Sequence, residues 1–153
     1  MIPSRWNRAL TGLLLGFVGI TAIAGGAALV VGEISGDQSG LLVPAPSYLE
    51  GSPFSSYLVP GLLLAVVVGG AQLTALAVLV RRPALAPAVT AMAAYTILIW
   101  IFVQMIIIPF SPLQLVYFLA GLAEIGLVVS ASGILRAEDR PVVDRSPADV
   151  GST

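Results

Sequence analysis

Four apolar runs, each long enough to cross a bilayer, fill most of this chain, and every basic residue lies on one side of them. The runs cover about residues 9–31, 60–80, 84–108 and 113–135. A helix rises about 1.5 Å per residue, so roughly 20 apolar residues cross a hydrocarbon core of about 30 Å. Arg5 and Arg8 precede the first run, Arg81 and Arg82 separate the second from the third, and Arg136, Arg140 and Arg145 follow the fourth. The connections 32–58 and 109–112 carry no basic residue, and the chain has no lysine. Arginine and lysine in short flanking loops set orientation, so the pattern predicts four spans with both termini in the cytoplasm. Arg81 and Arg82 are the topology determinants of the inner turn.

Composition removes the alternatives. Only 10% of the 153 residues are charged and 58% are hydrophobic, against about 25% charged in soluble domains. A net charge of −1 offers no attraction to nucleic acid. Cysteine and histidine are absent. This excludes disulfides, thiolate and imidazole metal sites, and Cys or His catalysis. No metal, cofactor or enzymatic activity is expected. Rich in Ala, Gly, Val, Pro and Arg, the composition is that of a protein from a GC-rich bacterial genome, which places it in the cytoplasmic membrane.

The expected fold is all-α: a four-helix transmembrane bundle in residues 1–135, with an interfacial outer segment between helices 1 and 2. The first run resembles a signal peptide at its start, but apolar residues continue through Ala27–Val31, so a retained anchor is expected. The outer segment, 32–58, is broken by Pro44, Pro46 and Pro53, yet Leu41, Leu42, Tyr48, Leu49, Phe54 and Tyr57 make it too apolar for a free loop. It should lie in the interface, with Tyr48 and Tyr57 in the aromatic belt. Ser52-Pro53 and Ser111-Pro112 read as N-cap and first-turn pairs that start helices, and Pro60 falls near a first turn or makes a bend. The polar tail, 136–153, cannot bury apolar area and is expected to be disordered.

Three polar side chains fall inside the runs: Gln72, Gln104 and Glu124. Such groups face a bundle interior because hydrocarbon solvates them poorly. Helical spacing places Gln114, Tyr117, Gly121, Glu124, Val128 and Ala131 on one face. Gly12, Gly16, Gly19, Ile23 and Gly26 form a stripe on the first run that lets a neighbouring backbone approach. Ala65, Gly69, Gln72 and Leu76 align on the second run, and Thr90, Ala93, Ile97, Trp100 and Gln104 on the third. At about 1.5 Å per residue, Gln72 and Glu124 lie roughly 18 and 16 Å below the outer surface, while Gln104 lies roughly 6 Å down, with Tyr117 at about that height. The spacing therefore predicts a polar track: Gln104 and Tyr117 near the outside, Gln72 and Glu124 near the midplane. Two readings of Glu124 stand. It ties helices through Gln72, or it carries protons, ions or a ligand.

The segment Leu49-Glu50-Gly51-Ser52-Pro53-Phe54-Ser55-Ser56-Tyr57-Leu58-Val59-Pro60-Gly61 resembles the stretch before the second span in a group of uncharacterised small bacterial four-helix membrane proteins. Ile99-Trp100-Ile101-Phe102-Val103-Gln104 and Leu113-Gln114-Leu115-Val116-Tyr117 are similar to it too. The resemblance covers spans two to four, implies the four-span plan, and brings no activity. Size and plan also resemble DoxX-like proteins at the level of fold alone. The expected role is a non-enzymatic accessory or interaction protein. Its surroundings are the lipid bilayer, and its expected associate is a protein partner or a second copy of the chain. The alternative is a small carrier or proton-linked permeation unit using Glu124.

Overall fold

The computed structural model describes residues 5–36 and 43–132. Among these residues there are helices and turns but no strand. Four helices are long and apolar enough to cross a membrane: α1, Arg5–Ser35; α2, Leu58–Arg81; α3, Ala86–Ile107; and α4, Pro112–Ser132. Each covers one of the four apolar runs. The expectations for Leu41, Leu42, the last residues of the fourth run, Arg136, Arg140, Arg145 and the tail lie outside the described residues.

Proline sets most of the boundaries. Arg82, ahead of Pro83, leaves the helical region at φ −137° and ψ 70°, which ends α2, because a following proline disfavours α geometry. Ile108, ahead of Pro109, is extended at φ −121° and ψ 150° and ends α3 for the same reason. Pro60 and Pro87 sit in first turns, where a missing N–H leaves no helical bond unmade. At α4, Ser111 and Gln114 cap reciprocally. The Ser111 hydroxyl accepts from the Gln114 backbone N–H at 3.4 Å, and the Gln114 side-chain Oε1 accepts from the Ser111 N–H at 3.0 Å. This is the Ser-x-x-Gln capping box.

Ser52-Pro53 does not start a helix. The Ser52 hydroxyl accepts from the Phe54 N–H at 3.2 Å in a local turn, and α2 begins at Leu58. The acceptor at that terminus comes from another helix. α1 runs to Ser35, past the predicted end at Val31, and Glu33 Oε2 accepts from the Tyr57 N–H at 3.2 Å. A carboxylate there also opposes the positive end of the α2 dipole. Tyr57 is not a belt residue either. It is buried, its hydroxyl donates to the Ala45 carbonyl at 3.0 Å, and it packs with Val43 and Leu49 against Leu29 and Phe54. Tyr48, in a 3₁₀ turn at Pro46–Leu49, remains exposed. The connection is thus a small apolar cap of its own, since a buried phenol with a bonded hydroxyl joins a core readily.

Within the bundle, α1 and α2 approach most closely. A Cβ on Gly26 would stand 2.5 Å from the Gly61 carbonyl oxygen, and one on Gly61 would stand 2.9 Å from that of Gly26. Gly19 faces Leu73 and Gln72, and Gly69 faces Ile23, at similarly short range. Only part of the predicted glycine stripe makes this crossing. A Cβ on Gly12 or Gly16 would meet Leu76 at ordinary distances of 3.7 and 3.8 Å, and Ile23, though it meets Gly69, is 38% exposed. The buried face of α1 runs instead through Thr11, Leu15, Val18, Gly19, Ala22 and Gly26. That face lies one position beside the stripe, because branched side chains, not glycines alone, fill the space between helices. On α4, Gly121 sits against Leu98, whose Cδ2 would be 2.9 Å from an added Cβ. Mid-α2, residues Leu63–Gly69 take π-helical bonding immediately before Gln72. Large apolar side chains such as Leu13, Ile20, Val66, Met92, Ile106 and Leu122 point outward, as a bilayer solvent permits.

Candidate functional site

Gln72 and Glu124 meet in the centre of the bundle. Both are 0% exposed. Gln72 Nε2 donates to Glu124 Oε2 at 3.1 Å and to the Ala93 carbonyl at 3.3 Å. One amide therefore links α2, α3 and α4. The positions follow from helical register: Gln72 projects from the turn after the π segment, and Glu124 from the same face of α4 as Gly121 and Gln114. Gln72 Oε1, Glu124 Oε1 and the Thr90 hydroxyl are buried with no hydrogen-bond partner. Bonds of this kind between membrane helices average about 0.6 kcal/mol and reach about 1.7.

The polar track does not run continuously outward from this pair. Val68 on α2, Ile97 and Ile101 on α3, and Ala120 on α4 form a buried apolar layer. By position along each helix, that layer lies between Gln72 and Glu124 on one side and Gln104 and Tyr117 on the other. Branched residues at those positions are ordinary span residues in the sequence, and only the packed bundle turns them into a partition.

Gln104 and Tyr117 are brought together, in the half of the bundle away from the arginines. They line a cavity of about 440 Å³ between α1, α3 and α4. A second cavity of about 560 Å³ lies between α2 and α3. Trp100, Gln104, Leu29, Pro44 and Ile108 line both, so the two cavities are neighbours on either side of these residues. Tyr117 stacks on Phe17, with ring centroids 6.1 Å apart and planes at 21°. Neither the Gln104 amide nor the Tyr117 hydroxyl makes a hydrogen bond among the described residues.

Gln114 also belongs here, and sequence reasoning placed it on the right face without singling it out. It is 3% exposed, lines the 440 Å³ lobe, and its Nε2 has no acceptor. Its spacing from Ser111 was the available signal, since a capping box holds the amide oxygen and turns the NH₂ inward. Thr90 was likewise aligned on its stripe but not marked as polar.

At the arginine end a small cavity of about 20 Å³ reaches between Asn7, Thr11, Thr90 and Val128. Asn7 Nδ2 donates to the Leu127 carbonyl at 3.1 Å, and an Arg8 guanidinium N–H donates to the Leu79 carbonyl at 3.3 Å. Arg81 and Arg82 are exposed there, at the end of α2. At the far end, burial pushes the Tyr57 phenol above its ordinary value of 10.0, with Tyr48 and Glu33 adding to the rise. No family description, no curated protein and no solved structure matches this chain.

Proposed function

We propose that the protein is a non-enzymatic accessory or interaction protein of the cytoplasmic membrane of a bacterium, with the arginine end inside the cell. The observation that carries this reading is the enclosure of Glu124. Glu124, the one ionisable group in the bundle's centre among the described residues, is 0% exposed and bonded to Gln72. A general acid or base needs a reacting group within hydrogen-bond reach, and an apolar layer stands between Glu124 and the far-end cavity. The arginine distribution supports the orientation. The likeness to small bacterial four-helix membrane proteins remains an expectation from sequence.

A second reading, a proton-linked permeation unit, is favoured by one observation. Glu124 Oε1 and Gln72 Oε1 are both uncommitted, and π-helical turns such as the one beside Gln72 occur often at functional sites. One experiment separates the two. The protein is solubilised gently and analysed by native mass spectrometry, and in parallel reconstituted in liposomes for proton flux. The accessory reading expects a stoichiometric protein partner and no flux. A proton flux that Glu124→Gln abolishes while the fold persists would replace it with the permeation reading.

A further inference from the structure

The two neighbouring cavities at the far end are unlike lobes. The lobe between α1, α3 and α4 carries Gln104, Gln114 and Tyr117. The lobe between α2 and α3 is lined mainly by aliphatic and aromatic residues, among them Leu63, Val67, Ile99, Val103 and Ile107. Its Thr96 hydroxyl already donates to the Met92 carbonyl at 2.9 Å. In the polar lobe, a buried Gln114 NH₂ has no acceptor. A buried donor left unpaired is unfavourable, so the lobe is built for oxygen acceptors. Each lobe falls in the range of small-molecule sites, which are largely apolar with a few placed polar groups.

We propose that these two lobes open into one another past Trp100 and together bind one uncharged single-chain lipid. Its ester and hydroxyl oxygens accept from Gln114, Gln104 and Tyr117, and its chain lies in the apolar lobe. Three observations select that occupant. The apolar lobe extends along α3 from Thr96 to Ile107, roughly 16 Å at 1.5 Å per residue, which is about the depth of one leaflet. Access is from the side, because the first turns of α2 pack on α1 rather than α3; a molecule already in the membrane therefore reaches it. The described charges near this end are the carboxylates Glu33 and Glu50, with no cation, which disfavours an anionic headgroup. Pro44, in the connection between α1 and α2, lines both lobes. The inference stands whether or not the protein has a protein partner.

Trp100 lines both lobes and is an internal reporter. The other tryptophan, Trp6, is exposed in the first turn of α1. Trp6→Phe leaves Trp100 as the sole emitter. The full chain is reconstituted in phosphatidylcholine vesicles and titrated with a monoacylglycerol carrying a brominated chain, which quenches tryptophan on contact. Saturable quenching at low mole fraction is expected. Gln104→Leu and Tyr117→Phe should each weaken it roughly three- to twentyfold, the factor for one hydrogen bond between groups inside a membrane. Gln114→Glu, which keeps the oxygen that caps Ser111 but removes the donor, should weaken it at least as much. Val103→Trp, which fills the apolar lobe, should abolish saturation in a Trp100→Phe-independent readout, measured by retention of the same lipid through gel filtration. Brominated fatty acid anion and brominated lysophosphatidylglycerol should quench only in proportion to mole fraction. Quenching that is linear for every probe, unchanged in the Gln104 and Tyr117 variants, or equally tight for anionic probes would overturn the proposal.

Discussion

Gly26→Ala tests the packing logic of the whole bundle, because the geometry gives its cost directly. The added Cβ would stand 2.5 Å from the Gly61 oxygen, 2.7 Å from the Ala65 nitrogen and 2.8 Å from the Ala65 Cβ. Carbon–oxygen contacts become acceptable at about 3.3 Å, so α1 and α2 must separate by about 0.8 Å. None of the three atoms is the movable end of a side chain. A gap of about 0.5–1 Å forfeits a quarter to a half of each dispersion contact across the crossing. Overpacking of this kind costs about 1–3 kcal/mol, partly offset by about 1 kcal/mol of helix propensity gained on replacing glycine. A net loss of up to about 2 kcal/mol is expected. Gly12→Ala, on the same stripe, meets only Leu79 and Leu76 side-chain ends at 3.6 and 3.7 Å, so it should be neutral or slightly stabilising. Unfolding by SDS titration in mixed micelles, followed by circular dichroism, measures both. Equal stability of the two variants would refute the close crossing at Gly26 and Gly61.

Three further outcomes are expected. A double-mutant cycle on Gln72→Leu and Glu124→Leu should give a coupling of about 0.6–1.7 kcal/mol, and a coupling within error of zero would mean the bond at 3.1 Å contributes nothing. The Tyr57 phenol is raised above 10.0 by burial, so the folded state holds its proton longer than the unfolded state. Its contribution to stability is therefore complete below about pH 10 and declines as pH rises through the folded value. A stability–pH profile should show an alkaline loss that Tyr57→Phe removes; an identical profile in the variant would refute the assignment. Ser111→Ala should lower stability by about 0.5–2 kcal/mol through the lost cap, and thermal unfolding indistinguishable from the parent would show the capping box to be idle.

The four spans were legible in the sequence because the bilayer demands long apolar runs, and those runs were interrupted by Pro83, Pro109 and the paired arginines. The level of Gln72 and Glu124 was legible too, since a fixed rise per residue converts position into depth. Shared depth placed both near the centre, and the packed helices then brought them to 3.1 Å across the bundle. Local capping was only half readable. Ser111-Pro112 starts α4, whereas Ser52-Pro53 starts nothing, because the acceptor that α2 uses is Glu33 from α1. A contact over 24 residues leaves no trace in local spacing. The same limit explains the glycines: one stripe contains both the tight Gly26 and the loose Gly12, and only the crossing angle of two helices distinguishes them. It also explains the cavity at the far end. Gln104, Gln114 and Tyr117 each read as a single polar residue on a helix face. Their common cavity, and the apolar layer that parts it from Glu124, exist only once α1, α3 and α4 are packed together.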